Sequence, residues 1–191
     1  NNIGPDYDIP APDVNTNPQI MAWMQDTYLQ MMPAHDRQRC THVVTGKPVE
    51  SGGSLGRDKA TGQGLVFVLE QWCHDRNLSL DGCTYTLQGF GNVGSWIARL
   101  MKARGAKLVA VEDVTGSILN PLGIEPDNLL SHMTKAEAIC DYPLAKSVDH
   151  RTFLSTKADF FIPAALENQL TAETADLLNV RAVIEGANGP T

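Results

Sequence analysis

The chain has 191 residues and a formal net charge of −7, without a basic stretch that could neutralise phosphates. This balance excludes a nucleic acid or an anionic membrane as the main partner and favours work on small molecules. No apolar run approaches the roughly 20 residues needed to cross a bilayer. The cysteines are scattered without a Cys-x-x-Cys pair, which predicts neither a zinc site nor a disulfide framework and fits a reducing cytoplasm; they are Cys40, Cys73, Cys83 and Cys140.

Both ends of the sequence are unusual for a complete protein. The chain begins at Asn1 without a methionine, in a loop rich in proline and aspartate, and it stops at Thr191 in a glycine-rich turn. We therefore predict that it is an internal fragment of a longer protein.

Two helices are predicted in the first part of the chain. Asn17 and Pro18 provide an N-cap and a first helical position for a helix over residues 18–32. A loop with several glycines covers residues 41–57. After this loop, apolar residues at helical spacing predict a second amphipathic helix, whose apolar stripe consists of Leu65, Val68, Leu69 and Trp72.

Three glycines lie where a predicted strand over residues 83–89 meets a third predicted helix. Gly89, Gly91 and Gly94 form the pattern G-x-G-x-x-G, and a strand over residues 106–113 completes a βαβ unit of about 30 residues. In a dinucleotide-binding turn the first glycine permits the bend, the second lets backbone approach the pyrophosphate, and the third allows close helix packing. An ordinary turn is the alternative interpretation. The helix has an apolar stripe of Val93, Trp96, Ile97, Leu100 and Met101.

The start of this helix and the end of the following strand predict two contacts to a dinucleotide. The unpaired backbone N–H groups at the start of the helix, including that of Val93, and the positive end of the helix dipole favour the binding of a phosphate. A carboxylate at the end of the strand would bind the adenosine ribose and repel a 2′-phosphate, which favours NAD over NADP. Asp113 is the preferred residue and Glu112 the alternative, and a solvated strand end is the competing interpretation for both.

Two later strands are predicted to end at the same ligand crevice. A buried strand over residues 160–162 is followed by Ala164 and Ala165, whose small side chains would let backbone approach the nicotinamide ribose. A further strand over residues 182–184 runs into the glycine-rich segment 186–188. A plain turn after each strand is the alternative.

Five segments together resemble the glutamate dehydrogenase branch of the amino-acid dehydrogenases that act on glutamate, leucine, phenylalanine and valine. In chain order they read IGPDYDIPAPDVNT, VTGKPVESGGSLGRDKATGQG, QGFGNVGSWIA, PAALENQLTAETA and EGANGPT. The resemblance extends from Ile3 to Thr191. It implies reversible oxidative deamination of L-glutamate to 2-oxoglutarate and ammonia with NAD, or with NADP, and assembly as a homohexamer.

The resemblance also implies roles for individual residues. Asp13 matches the aspartate that exchanges protons with the substrate nitrogen, and Asn92 matches a dinucleotide contact. Arg57, Thr61 and Asn188 match residues near the nicotinamide. Without the resemblance, Asp13 would be read as a turn carboxylate, Arg57 as a surface cation and Thr61 as a helix cap. The lysines that act in catalysis and hold the substrate carboxylates precede residue 1 in the family, so the fragment alone is expected to be inactive.

The remaining charged residues receive no catalytic role. Lys47 and Lys59 are predicted to be solvated, and the five histidines fall outside the motifs; no metal site is predicted.

The expected fold is a Rossmann-type, doubly wound parallel α/β sheet over residues 51–191. The end of a separate substrate domain is expected over residues 1–50. A dehydrogenase of leucine, valine or phenylalanine and a non-catalytic dinucleotide-binding regulator remain the alternative functions.

Overall fold

The computed structural model describes residues 2–13 and 15–191, so that Asn1 and Val14 lie outside the described residues. The chain forms two compact units, Asn1–Asp58 and Lys59–Thr191. Within the described residues no helix is both long and apolar enough for a membrane span.

The first unit is built around helix α1 (Pro18–Met31), which matches the predicted helix to within one residue. The Asn17 side chain caps it by accepting a hydrogen bond from the Ile20 N–H at 3.0 Å. Short helical turns follow, and Met21 packs on Val43 and Val44 to form a small core. The short turns are α2 (Arg37–Cys40) and two 3-10 segments, Thr41–Val43 and Val49–Ser51.

The second unit contains a six-stranded sheet flanked by helices. Its strands are β1 (Thr84–Gln88), β2 (Lys107–Asp113), β3 (Gly116–Leu119), β4 (Lys146–Val148), β5 (Phe160–Pro163) and β6 (Ala182–Val183). Its helices are α3 (Ala60–His74), α4 (Asn92–Lys102), α5 (Pro126–Ala136), α6 (His150–Leu154) and α7 (Ala172–Ala175). Both predicted helices and all four predicted strands of this unit are confirmed, with ends shifted by a few residues.

The strand order is β4-β3-β2-β1-β5-β6. Strands β2, β1, β5 and β6 pair in parallel, which confirms the predicted α/β fold class. Strands β3 and β4 were not predicted: β3 pairs antiparallel with both β2 and β4. These two strands are short, and a tight turn joins β3 to β2, so that the sheet is mixed at this edge.

Successive side chains of β5 are buried on opposite faces of the sheet. Phe160 and Ile162 belong to the larger core, which α3, α4 and α5 cover, whereas Phe161 packs with Phe153 of α6 on the other face. Because helices cover both faces, the carboxyl edge of the parallel strands is the place where side chains and loops can meet a ligand.

The buried face of α3 differs from the prediction at Val68, which is 64% exposed. The buried line instead runs through Gly62, Leu65, Val66, Leu69 and Cys73. Gly62 explains this choice, since a Cβ there would lie 3.2 Å from the Ile97 backbone nitrogen in α4. The helices therefore approach most closely along the glycine side of α3, and the prediction followed a neighbouring apolar stripe.

Candidate functional site

The glycine turn connects the end of β1 to the start of α4. Gly89 has a φ of +94°, a conformation that L side chains rarely adopt. A Cβ at this position would also lie 2.7 Å from the carbonyl oxygen of Ala164, in the loop after β5. Glycine is thus required both for the bend and for the approach of the neighbouring loop.

The other two glycines of the motif meet opposite surroundings. A Cβ on Gly94 would lie 2.0 Å from the carbonyl oxygen of Gly89, so α4 packs directly against the end of β1. A Cβ on Gly91 would meet nothing within 4 Å. Gly94 is therefore needed for packing, whereas Gly91 leaves open the space beside the start of α4.

The first turn of α4 has the character of an anion site. Gly91 is the N-cap, no side chain among the described residues caps the helix, and the first turn contains no acidic residue. Within the described residues, no carboxylate of this first turn faces the positive end of the helix dipole. The open space at Gly91 and the helix start at Asn92 and Val93 fit a pyrophosphate group.

The two acidic candidates at the end of β2 differ in their surroundings. Asp113 is half-buried, and its Oδ1 accepts hydrogen bonds from the Thr115 N–H at 2.7 Å and the Thr115 hydroxyl at 2.6 Å. Glu112 is buried. Its carboxylate accepts hydrogen bonds from Gln88, Ser117 and His150. The structure thus holds Glu112 within a network of protein bonds, and Asp113 stands nearer to solvent.

The loops after β5 and β6 lie beside the glycine turn at the same edge of the sheet. The Ala164 N–H donates to the Gln88 carbonyl at 2.7 Å, and a Cβ on Gly186 would lie 3.0 Å from the Ala164 Cβ. Ala165 and Asn188 are exposed at this edge. The structure therefore brings together the predicted residues from three strand ends, in agreement with the rule for open α/β sheets.

Thr61 also belongs to this unit. It is exposed in the first turn of α3 and is not the N-cap, which is Lys59. Two residues along, the buried Nε2 of Gln63 has no hydrogen-bond partner among the described residues. A buried amide donor without a partner is rare in folded proteins and marks this turn of α3 as a place for a further polar group.

The remaining predicted residues lie in the first unit. Asp13 and Arg57 are exposed, and the Asp13 carbonyl accepts a hydrogen bond from the Thr16 hydroxyl at 2.7 Å. The prediction that Lys47 is solvated is wrong: the residue is only 8% exposed, and its Nζ donates to the Val44 carbonyl at 2.8 Å. Burial lowers the pKa of the Lys47 ammonium because the charged form loses hydration.

Sequence reasoning missed two residues of the site. Gln88 and His150 both bind the Glu112 carboxylate, yet neither belongs to a glycine or ligand motif. The position of Gln88, immediately before the first glycine, is the only local signal. For His150 there is none, since 38 residues separate it from Glu112 along the chain.

A largely parallel sheet with a glycine turn at a helix start defines the class of Rossmann-type dinucleotide-binding proteins. The comparison with known proteins identifies the family within this class. The chain belongs to the Glutamate/Leucine/Phenylalanine/Valine dehydrogenase family, whose domain model matches residues 52–191. The dimerisation domain model of the same family matches residues 1–30.

Similar proteins include an NAD-specific glutamate dehydrogenase of Staphylococcus aureus, which is 39% identical over 189 residues. That match covers 99% of this chain and 44% of the relative. Among solved structures, the hetero-hexameric glutamate dehydrogenase from Thermus thermophilus in its Leu-bound form has a TM-score of 0.85 at 33% identity. The superposition covers 99% of this chain and 44% of the Thermus thermophilus chain.

The glutamate dehydrogenase from Peptoniphilus asaccharolyticus has a TM-score of 0.75 at 33% identity, and covers 100% of this chain and 43% of its own. The chain thus spans less than half the length of the relatives it matches.

Proposed function

We propose that the protein to which this chain belongs catalyses the reversible, NAD-dependent oxidative deamination of L-glutamate to 2-oxoglutarate and ammonia. The observation that carries the proposal is the pairing of a tightly packed Gly94 with an open Gly91 at a helix start that has no side-chain cap among the described residues. The similarity to an NAD-specific glutamate dehydrogenase over 99% of the chain supports the choice of substrate and coenzyme.

The coenzyme is assigned to the carboxyl edge of the sheet. Gly89, Gly91, Asn92, Val93 and Gly94 form the pyrophosphate turn. At the end of β2, Asp113 is suited to accept hydrogen bonds from the adenosine ribose and to repel a 2′-phosphate. NADP is the alternative coenzyme, since an acidic residue at this position does not always exclude it.

The nicotinamide half is assigned to the loops that follow β5 and β6. Ala164 and Ala165 present backbone and small side chains, and Asn188 presents an amide at the same edge. Thr61 and Arg57 are proposed to approach the nicotinamide, by family resemblance. When bound, NAD supplies the acceptor for the hydride that leaves the substrate Cα.

Asp13 is proposed to exchange protons with the substrate nitrogen. A carboxylate close to the amine can take a proton before hydride transfer and return one as the imine is hydrolysed. The cations for the substrate carboxylates are assigned to the part of the protein that this chain does not include. Residues 1–50 are assigned to the substrate domain and residues 51–191 to the coenzyme domain, although the compact units divide after Asp58.

The assembly and location are further parts of this proposal. A hexamer is supported by the Thermus thermophilus relative, which is described as hetero-hexameric. A reducing, cytoplasmic location is supported by the four free cysteines.

The test uses the purified full-length protein. NADH absorbance is followed with L-glutamate, L-leucine, L-valine or L-phenylalanine as substrate, and calorimetry measures NAD binding. We expect turnover with glutamate and heat on addition of NAD. Turnover only with another amino acid would change the substrate, and NAD binding without any turnover would favour a regulatory protein. Binding of neither NAD nor NADP would reject the proposed function.

A further inference from the structure

Glu112 occupies an unusual position for a carboxylate. It is the second-last residue of β2 and lies opposite Gln88, the last residue of β1 before the glycine turn. It is only 8% exposed, and acidic residues are almost never this deeply buried unless they are paired. Its role therefore has to be sought in the bonds that its carboxylate makes.

Both carboxylate oxygens of Glu112 are engaged by other parts of the second unit. Oε1 accepts from the Ser117 hydroxyl at 2.6 Å, and Oε2 accepts from the Gln88 amide at 3.0 Å. The Nδ1 of His150 lies 2.9 Å from one oxygen and 3.0 Å from the other, and it must donate because a carboxylate only accepts. These bonds join β1, β3 and the start of α6 to one side chain, and they leave little capacity for a ribose hydroxyl.

The orientation of the Gln88 amide depends on Glu112. Gln88 Nε2 is shared between Glu112 Oε2 and Gln169 Oε1, the second at 3.2 Å. Gln88 Oε1 is buried without a partner among the described residues, so the bonds of Nε2 fix the amide. The acceptors therefore determine the position of this side chain.

The backbone of Glu112 holds the same turn. The Gly89 N–H donates to the Glu112 carbonyl at 2.7 Å, and the Gln88 carbonyl in turn accepts from the Ala164 N–H at 2.7 Å. Glu112 is thus bonded through its side chain to the last residue of β1 and through its backbone to the first glycine. A change in its side chain would be transmitted to the turn that leads into α4.

We propose that Glu112 is a positioning residue for the coenzyme turn, acting through Gln88 and making no contact with the coenzyme. The inference deepens the proposed function and rests on it, since the turn has to be a coenzyme site. It separates the two acids at the end of β2. Glu112 holds the turn for both coenzymes equally, whereas Asp113 contributes to the choice between them.

The test is E112Q in the full-length enzyme, with E173Q as the control because Glu173 is an exposed carboxylate in α7. E112Q replaces one carboxylate oxygen with an amide NH2 group. This group donates and does not accept hydrogen bonds, so the network loses a bond. We expect the KM for NAD and the KM for NADP to rise by the same factor, about tenfold, with kcat at saturating coenzyme unchanged. E173Q should leave both KM values unchanged.

A second variant, Gln88→Met, removes the link without changing Glu112 and keeps the test decisive if E112Q does not fold. It should produce the same equal rise in both KM values. In the double variant the KM values for NAD and NADP should be no higher than in E112Q alone, because both changes break the same link between Glu112 and Gln88. Additive effects would overturn the inference.

Two other outcomes would also overturn it. A changed ratio of NAD to NADP use in E112Q would make Glu112 a coenzyme contact. Unchanged KM values in both folded variants would leave it without a positioning role. Calorimetry on the wild-type protein separates these results from failure of the proposed function. If the wild-type protein bound neither NAD nor NADP, both proposals would be rejected.

Discussion

Gly91 and Gly94 belong to one motif, but the structure gives them different physical tasks. The space beside Gly91 is open, whereas the space beside Gly94 is filled by the carbonyl of Gly89. A methyl group at the first position would obstruct a ligand, and a methyl group at the second would separate the helix from the strand. The packing at Gly94 is the task that the motif predicts for its third glycine, and the open space at Gly91 leaves room for the approach predicted for its second.

We therefore expect Gly91→Ala and Gly94→Ala to fail in different ways. G94A should lower the free energy of unfolding by about 1–3 kcal/mol, because the helix must move to admit the Cβ. G91A should leave stability within about 0.5 kcal/mol and weaken NAD binding. Chemical denaturation and calorimetry on the two variants measure this contrast, and a G91A variant that binds NAD normally would contradict the assignment of the turn.

Asp113 provides a prediction about coenzyme choice. In the variant Asp113→Asn the repulsion between the carboxylate and a 2′-phosphate is removed, so NADP should be used better relative to NAD. The measurement is the ratio of kcat/KM for the two coenzymes in the full-length enzyme. An unchanged ratio would show that Asp113 does not face the adenosine ribose.

At the level of elements, α3 and α4 pack through a glycine contact. Gly62 faces the Ile97 backbone and the Trp96 Cβ, each at 3.2 Å from the position of an added Cβ. Gly64 lies on the other side of α3, where a Cβ would meet nothing within 4 Å. The two positions share a helix but differ in whether a side chain has room.

Alanine at these two positions should change stability with opposite signs. G62A should destabilise the protein, because a Cβ would push α3 away from α4. G64A should stabilise it by about 0.5–1 kcal/mol, since alanine has the higher helix propensity and no atom obstructs it. Thermal unfolding of both variants tests the packing, and stabilisation by G62A would contradict it.

Asp159 ties the start of β1 to the segment before β5. Burial raises the pKa of its carboxyl. Hydrogen bonds from the Thr84 N–H, at 2.8 Å, and from the Thr84 hydroxyl lower the pKa, as does the nearby Arg181, and these effects outweigh burial. The pKa is therefore below the usual value of 3.8. The carboxylate stabilises the fold above pH 3.8, and this contribution is lost as the pH falls through the lowered pKa.

For Asp159→Asn we expect a loss of about 1–3 kcal/mol at neutral pH, from the weakened bonds to Thr84. The difference between wild type and variant should shrink as the pH falls below about 4. Denaturation at several pH values measures it, with the exposed Asp176→Asn as the control. A difference that does not change with pH would show that the charge of Asp159 has no part in the stabilisation.

At the scale of the whole molecule, ligand binding should couple to stability. A coenzyme that binds only the folded protein raises the free energy of unfolding by about 2.7 kcal/mol at 100 times its Kd. We expect NAD to raise the Tm of the full-length protein by several degrees, and NADP at the same concentration to raise it less. Equal shifts for the two coenzymes would contradict the preference for NAD, and no shift with either would contradict a coenzyme site.

The sequence by itself determined the features that depend on neighbouring residues. The Asn17 cap, the glycine turn and the start of α4 are local, and their spacing predicted them within a few residues. The strands β3 and β4 were missed because each depends on a partner strand that lies beside it in the sheet: β3 pairs with β2, and β4 pairs with β3.

Only the tertiary structure decided which of several equivalent residues is buried and what it contacts. It exposed Val68, buried Lys47, and surrounded Glu112 with donors from Gln88, 24 residues away, and His150, 38 residues away. The physical reason is that burial and hydrogen bonding depend on which elements meet in space. Local periodicity and motif spacing do not carry that information.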